Sequence, residues 1–479
     1  MKDYSFLKAD PSQARRLGHA EPHPHKNDFQ RDRDRVLYSR IFRRLDKKTQ
    51  VFVSGFDDNI RTRLTHTLEV AQIARRIASI FGFDTDLAEA MALAHDTGHT
   101  PFGHTGEKTL NFFMNGCEEC YGYEELFDAE EVSGFKHNLQ GFKSLNELEI
   151  HRNDEKALNL TTYTLWGVVN HTTQKYKKKC EFCHGTQCLK NNKPCPHGGI
   201  FNLDYYDHLL SQLNKEDWTF EGVIVAMADE IAQLHHDFED GVCGRLITVE
   251  TLISICKEHF NNDLLNSIRD DDNKLCKLST FCSAIIEDLI YDYCDLLEKG
   301  IEKVVEEFKI ETAEDFAKNK ADIYDFVMKN VEKGYFCDFF NDVSNNPKFT
   351  SLQQVIPEVI ILSELTQTMN GKAAFIVSRL FKAYLRNPQQ LPDKTVLTIT
   401  NACMKLGVKG MVFEPLTPYE FPQRFGIARK NLGTIINANN EDYKRIIMRT
   451  ICDYIAGMTD DYAIAQHDKL YGSDNLRYV

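Results

Sequence analysis

His95-Asp96-Thr97-Gly98-His99-Thr100-Pro101-Phe102-Gly103-His104-Thr105-Gly106-Glu107 sets three histidines and two carboxylates around a helix break. The run before it, Asp86 to Ala94 (DLAEAMALA), is almost entirely apolar. It predicts a short buried helix that delivers His95 and Asp96 at its C-terminal end, before Gly98 and Pro101 stop it. Adjacent His and Asp at the end of a buried helix are natural ligands for a metal ion, so the segment points to an enzyme rather than a scaffold.

Helical period dominates on both sides of this segment. Leu64 to Ile80 (LTHTLEVAQIARRIASI) carries Val70, Ile73, Ala74 and Ile77 as an apolar stripe and should end at Gly82. Glu221 to Asp237 (EGVIVAMADEIAQLHHD) reads as a third core helix. Residues 245 to 340 are again helical, with acidic runs such as Ile301 to Asp315 that read as solvated helix faces. Alternating patterns are scarce, and Lys394 to Thr400 (KTVLTIT) is the best strand candidate. The expectation is an all-α chain in three parts. A helical core runs to residue 245 with a Cys-rich insert at about 175–200. An acidic helical region covers 246–350, and a C-terminal helical region, 351–479, completes the core and makes subunit contacts.

Composition excludes several classes. The chain has 479 residues, 42% apolar and 27% charged, which is ordinary for a folded protein. Lys and Arg number 57 against 71 Asp and Glu, a formal charge of −14, which argues against a protein dedicated to coating nucleic acid. No window is long and apolar enough for a membrane span, and the polar N-terminus has no signal-like core, so a cytoplasmic location is expected. Fourteen cysteines in such a chain read as reduced thiols and metal ligands. Cys180-x2-Cys183-x4-Cys188-x6-Cys195 lies in a segment rich in Lys, Asn, Gly and Pro, and four thiols at this spacing suit a structural zinc. Cys117-x2-Cys120 could replace Cys188 and Cys195 if the two loops meet, and redox pairing is the alternative use of these thiols.

His66, His95, Asp96 and Asp229 together could hold one divalent ion. Asp229 sits in a buried run (VIVAMADEIA), where an unpaired carboxylate would be costly without a cation or a hydrogen-bond network. Two His and two Asp suit Mn, Fe, Co, Ni, Zn or Mg and do not choose among them. Taken singly, His66 could equally be a satisfied core histidine and Asp229 a buried cap.

The motifs in order are Arg61-Thr62-Arg63-Leu64-Thr65-His66, Ala94-His95-Asp96 through Glu107, His137-Asn138-Leu139-Gln140-Gly141-Phe142 and Ala228-Asp229-Glu230-Ile231-Ala232. They resemble those of the HD-domain deoxyguanosine triphosphate triphosphohydrolases. Phe42-Arg43-Arg44-Leu45-Asp46-Lys47-Lys48-Thr49-Gln50-Val51-Phe52 and Asp453-Tyr454-Ile455-Ala456-Gly457-Met458-Thr459-Asp460 resemble the family's N- and C-terminal signatures. The resemblance implies an HD-domain helical core with an inserted zinc loop and helical C-terminal additions. It implies hydrolysis of a dNTP, dGTP foremost, to a deoxynucleoside and inorganic triphosphate, with a divalent metal (Mn, Mg, Fe or Co) on His66, His95, Asp96 and Asp229. His104 and Glu107 match the family's catalytic pair. Glu107 lies one helical turn beyond His104 and could fix and activate its imidazole.

Arg63, three residues before His66, could reach phosphate if the helix begins early enough. His99 and His137 match the family's other phosphate-contacting histidines, with Lys175 a further candidate whose alternative is an exposed loop lysine. Gln50 resembles a sugar- or base-contacting residue. Asp229, Gln233 and Asp237 fall at i, i+4 and i+8, near one helix face. Asp237 matches a residue that binds the sugar 3′-hydroxyl, whereas Gln233 stands where the family commonly has a tyrosine stacked on the deoxyribose. An amide there could hydrogen-bond a 2′-hydroxyl that a ring would exclude, so strict choice of deoxyribose is in question.

The resemblance permits an even-numbered homo-oligomer such as a hexamer and a dNTP or single-stranded DNA effector. Two other readings compete. One is an HD phosphomonoesterase or phosphodiesterase, which would need the four ligands but not His99, His104, Glu107 and His137. The other is a silent nucleotide or nucleic-acid sensor, which would usually lack a ligand or the catalytic pair.

Overall fold

A computed structural model describes residues 2–19, 23–50, 60–123, 126, 134–149, 157–172, 183–184, 187–188, 203–248, 251, 254, 274–328, 356–407 and 421–472. It is helical throughout apart from one ladder of two-residue strands, Cys183–His184 and Gln187–Cys188. The chain forms two compact units, neither of them a single continuous stretch.

The first unit contains residues 1–98, 137–175 and 208–370. Its core helices are Arg63–Phe81, Thr85–Ala94, Thr162–Asn170 and Phe220–Cys243. Val70, Ala74, Ile77 and Phe81 of the first helix are wholly buried, as are Leu87, Ala88 and Met91 of the second. Removing such side chains from water is the main stabilising term. Gly82 ends the first helix in the left-handed region at φ 76°, as its position after the apolar stripe predicts. Asp84 then caps the second helix by accepting from the backbone N–H groups of Asp86 and Leu87. Glu221 is fully buried and accepts from the backbone N–H of both Ala9 and Asp84 at 3.0 Å, which ties the N-terminal segment and this cap to the Phe220–Cys243 helix. Burial pushes its carboxyl above the usual range, against the pull of those two donors.

Among the described glycines of this unit, Gly98 has the closest neighbours. It ends a 3-10 turn, His95–Gly98, that packs under the start of the His137–Lys143 helix. A Cβ there would lie 1.9 Å from His137 O and 2.2 Å from Gly141 N, so only glycine admits the approach. Further along, Lys274–Phe308 and Ala313–Met328 are helices, in accord with the helical reading of 245–340 for the residues described.

The second unit contains residues 99–136, 176–207 and 371–479. Lys394 to Thr400 is not a strand here: it lies inside the Asp393–Lys405 helix. Its β-branched Thr, Val and Ile suggested a strand, but the buried positions are Val396, Ile399, Thr400 and Cys403, spaced i, i+3, i+4 and i+7. Pro392 opens the helix, and the short β-branched run is overridden by a 13-residue amphipathic face. Phe113 of the Gly103–Met114 helix stacks on Phe381 at 4.3 Å between ring centroids. Arg449 is buried; its guanidinium lies 3.6 Å from the Tyr205 ring centroid and donates to Gly134 O at 3.1 Å.

Gly98→Ala should cost at least about 3 kcal/mol, because the added methyl meets backbone that cannot rotate away. Gly426→Ala, in a helix with nothing within 4 Å of the new Cβ, should gain up to about 1 kcal/mol. Urea denaturation of the two variants checks both signs.

Candidate active site

Three elements of the first unit converge on one cluster. The Arg63–Phe81 helix begins early enough to bring Arg63 and His66 to one face; the turn after Thr85–Ala94 presents His95 and Asp96; the Phe220–Cys243 helix presents Asp229. His66 Nε2 is 2.9 Å from Asp229 Oδ1 and 3.9 Å from Asp96 Oδ2. His95 Nε2 is 3.5 Å from Asp96 Oδ1 and 3.6 Å from Asp229 Oδ1. His66, His95 and Asp96 are buried, and their donor atoms fall within 4.8 Å of one another.

His95 Nδ1 donates to Ala92 O at 2.6 Å, since a carbonyl can only accept, and this directs Nε2 at the two carboxylates. That buried Nε2 makes no hydrogen bond. A divalent cation would satisfy it and both carboxylates at once, so the residues fit a divalent metal. Burial alone would lower the pKa of His95, but Asp96 and then Asp229 outweigh it and push the value up to about 9. Burial likewise raises the Asp229 carboxyl, yet His95 and His66 hold it well below the usual range. Arg63 is 2% exposed and donates to Asp96 Oδ2 at 2.6 Å.

Gln233, Asp237, Gln50 and His137 belong to the same unit. Gln233 lies one turn before Asp237, whose carboxyl is pushed well up by burial and then by Asp240, Glu230 and Asp229. Gln50 sits beside the Thr49–Thr62 bridge that leads into the Arg63–Phe81 helix, and its Oε1 is buried without a hydrogen-bond partner. His137 opens its helix buried, with its ring 5.4 Å from that of His171.

His171 is a site residue that the sequence reading passed over. It repeats the arrangement of His95: Nδ1 is 2.7 Å from Val168 O, while its buried Nε2 has no hydrogen-bond partner. Asp96, His137 and His171 each offer an atom within 4.8 Å of the others. Burial, with His95 and His137 nearby, lowers its pKa to about 3, which keeps the ring neutral. Its signal was present in part: the apolar run Leu165-Trp166-Gly167-Val168-Val169 near the end of the Thr162–Asn170 helix, with a histidine directly after that helix, as His95 directly follows Ala94.

In the second unit, His104 Nδ1 lies 3.6 Å from Glu107 Oε2, one turn along the Gly103–Met114 helix. The His104 side chain is 70% exposed. His99 lies edge-on to it at 5.3 Å between ring centroids. Phe102, which caps this helix, has φ 61°, a left-handed conformation that non-glycine residues resist, and its backbone N–H donates to the buried Asp460 Oδ1 at 2.8 Å. The C-terminal signature thereby anchors the turn that leads to His104. Lys175, Cys180 and Cys195 lie outside the described residues. Cys183 and Cys188 stand opposite one another in the two-residue ladder. Cys117 and Cys120 are buried, and neither joins a group of three metal-ligating side chains among the described residues.

Comparison with known proteins agrees with this geometry. Residues 63–234 match the HD domain, so the class is that of HD-domain phosphohydrolases, and residues 430–469 match a phosphohydrolase-associated domain. A deoxyguanosinetriphosphate triphosphohydrolase-like protein of Caulobacter vibrioides is 31% identical over 452 residues, covering 94% of this chain and 91% of its own length. Proteins of the same description from Bordetella pertussis and Rickettsia bellii are 31% and 30% identical, over 98% and 96% of this chain and 97% and 96% of their own lengths. The chain belongs to this family of deoxyguanosinetriphosphate triphosphohydrolase-like proteins. No helix among the described residues is long and apolar enough to cross a membrane.

The raised pKa of His95 sets a pH dependence. Its unfolded value is 6.5 and its folded value about 9, so in metal-free protein its contribution to stability is complete below 6.5 and is lost as pH rises through about 9. A metal must displace that proton, so Mn affinity should rise over the same window by about tenfold per pH unit. Thermal melts of chelator-treated protein and calorimetric Mn titrations across this range test the two opposite slopes.

Proposed function

We propose that the chain hydrolyses deoxynucleoside triphosphates, dGTP foremost, to deoxynucleoside and inorganic triphosphate. The observation that carries this reading is that the chain has both a His66–His95–Asp96–Asp229 cluster and an exposed His104 paired with Glu107. A general HD phosphohydrolase needs only the first. A divalent ion on His66, His95, Asp96 and Asp229 would supply Lewis-acid polarisation of a phosphoryl oxygen. His104 would give its proton to the departing 5′-oxygen, with Glu107 holding the imidazole in orientation. His99, His137, Lys175 and Arg63 would meet phosphate charge; Gln50, Gln233 and Asp237 would meet base and sugar. We assign the catalytic core to residues up to 245, subunit contacts to 246–350 and 351–479, and a structural zinc to Cys180, Cys183, Cys188 and Cys195. An even-numbered homo-oligomer, regulation by a dNTP or single-stranded DNA, and a cytoplasmic location belong to the same reading.

Each dNTP and rNTP incubated with Mn or Mg should release nucleoside and intact triphosphate, separable by ion exchange. His104→Ala should lower kcat by about 100- to 10,000-fold, the usual contribution of a general acid. Release of orthophosphate or pyrophosphate instead would move the assignment to another HD phosphohydrolase. Gln233→Tyr should lower rNTP turnover relative to dNTP turnover, by excluding the 2′-hydroxyl. Elemental analysis should find about one zinc per chain, lost in Cys183→Ser.

A further inference from the structure

His66 turns its Nε2 to the carboxylates and its Nδ1 the other way, where it meets His236 Nδ1 at 2.9 Å. The two rings stand nearly perpendicular, 5.0 Å apart. His236 Nε2 in turn faces Glu69 Oε2 at 2.5 Å. Arg61 Nε donates to Glu69 Oε1 at 3.2 Å, while its other nitrogens bond Glu239 and Asp240. His66 and His236 are buried, whereas Glu69 is 37% exposed on its side chain. Arg61, His66 and Glu69 come from the start of one helix and its approach; His236, Glu239 and Asp240 come from the last turns of another.

Only one proton arrangement lets His66 bind a metal through Nε2. That nitrogen must offer a lone pair, so a neutral His66 carries its proton on Nδ1. Two ring nitrogens cannot both donate across 2.9 Å, so His236 Nδ1 accepts, its own proton sits on Nε2, and Glu69 receives it. We propose that His236 and Glu69 are positioning residues that set the tautomer and ring orientation of His66 for metal binding, through a chain that runs His66 Nδ1–H to His236 and His236 Nε2–H to Glu69. This rests on the metal reading of the His66–His95–Asp96–Asp229 cluster. The chain gives His66 what Ala92 O gives His95, a fixed partner on the nitrogen remote from the ion. Glu69, His235 and His236 also lie close enough to hold an ion of their own. The Arg61 guanidinium on Glu69, with His236 Nε2 already directed at the same carboxylate, favours the relay.

The test measures Mn dissociation constants by calorimetry on full-length protein stripped with chelator, with the thermal midpoint of each metal-free variant as a control for folding. His236→Leu removes the acceptor and should weaken Mn binding by about 10- to 100-fold. His236→Gln keeps a carbonyl to accept from His66 and an amide to donate to Glu69, and should stay within about threefold of wild type. Glu69→Ala, at a partly exposed position, should weaken binding by a few fold even if His236→Leu does not fold. Unchanged Mn affinity in both His236→Leu and Glu69→Ala would overturn the relay while leaving the metal site standing. Two ions per chain, one of them lost in Glu69→Ala, would overturn it in favour of a second ion. A wild-type chain that binds no divalent metal, as in a His95→Ala control, would overturn the metal reading and the relay together.

Discussion

Asp96 and Asp229 are held next to His66 and His95 where little water can reach them, and the first unit is arranged to tolerate that burial. Unpaired charges in such a place would cost several kcal/mol each. Arg63 meets one oxygen of Asp96, and the imidazoles hold Asp229 as a carboxylate. Those same carboxylates push the pKa of His95 up to about 9, against its burial. The same electrostatic balance that suits the cluster to a divalent metal should make the metal-free protein pH-sensitive.

Geometry around the cluster follows from bringing three helices to one point. Gly98 lets the His95–Gly98 turn lie against His137 and Gly141 without a side chain between them. His95 and His171 use one device, a histidine at the end of an apolar helix whose Nδ1 is bound to the carbonyl three residues back. His66 lies inside a helix, where its own carbonyls are already used, so its remote nitrogen is partnered from the neighbouring helix by His236.

The second unit solves a different problem, which is to keep His104 exposed and yet fixed. Phe102 accepts a left-handed backbone, and the strain is held by Asp460, a residue over 350 positions later in the chain. That contact gives the C-terminal signature a structural part: Asp460 secures the turn before His104.

Much of this was legible in the sequence because helices announce themselves locally. Apolar spacing gave the extents of the Arg63–Phe81 and Thr85–Ala94 helices to within one residue and the start of Phe220–Cys243, whose last six residues it missed, and buried-run logic singled out Asp229. The KTVLTIT run misled because seven residues rich in β-branched side chains fit either period, and only the packing of Val396, Ile399 and Cys403 decides for helix. Tertiary structure alone decided that Arg63 bonds Asp96, that His171 joins the site and that His236 backs His66. Each is a contact between segments far apart in the chain, and side-chain periodicity within one helix carries no information about which face of another it will meet.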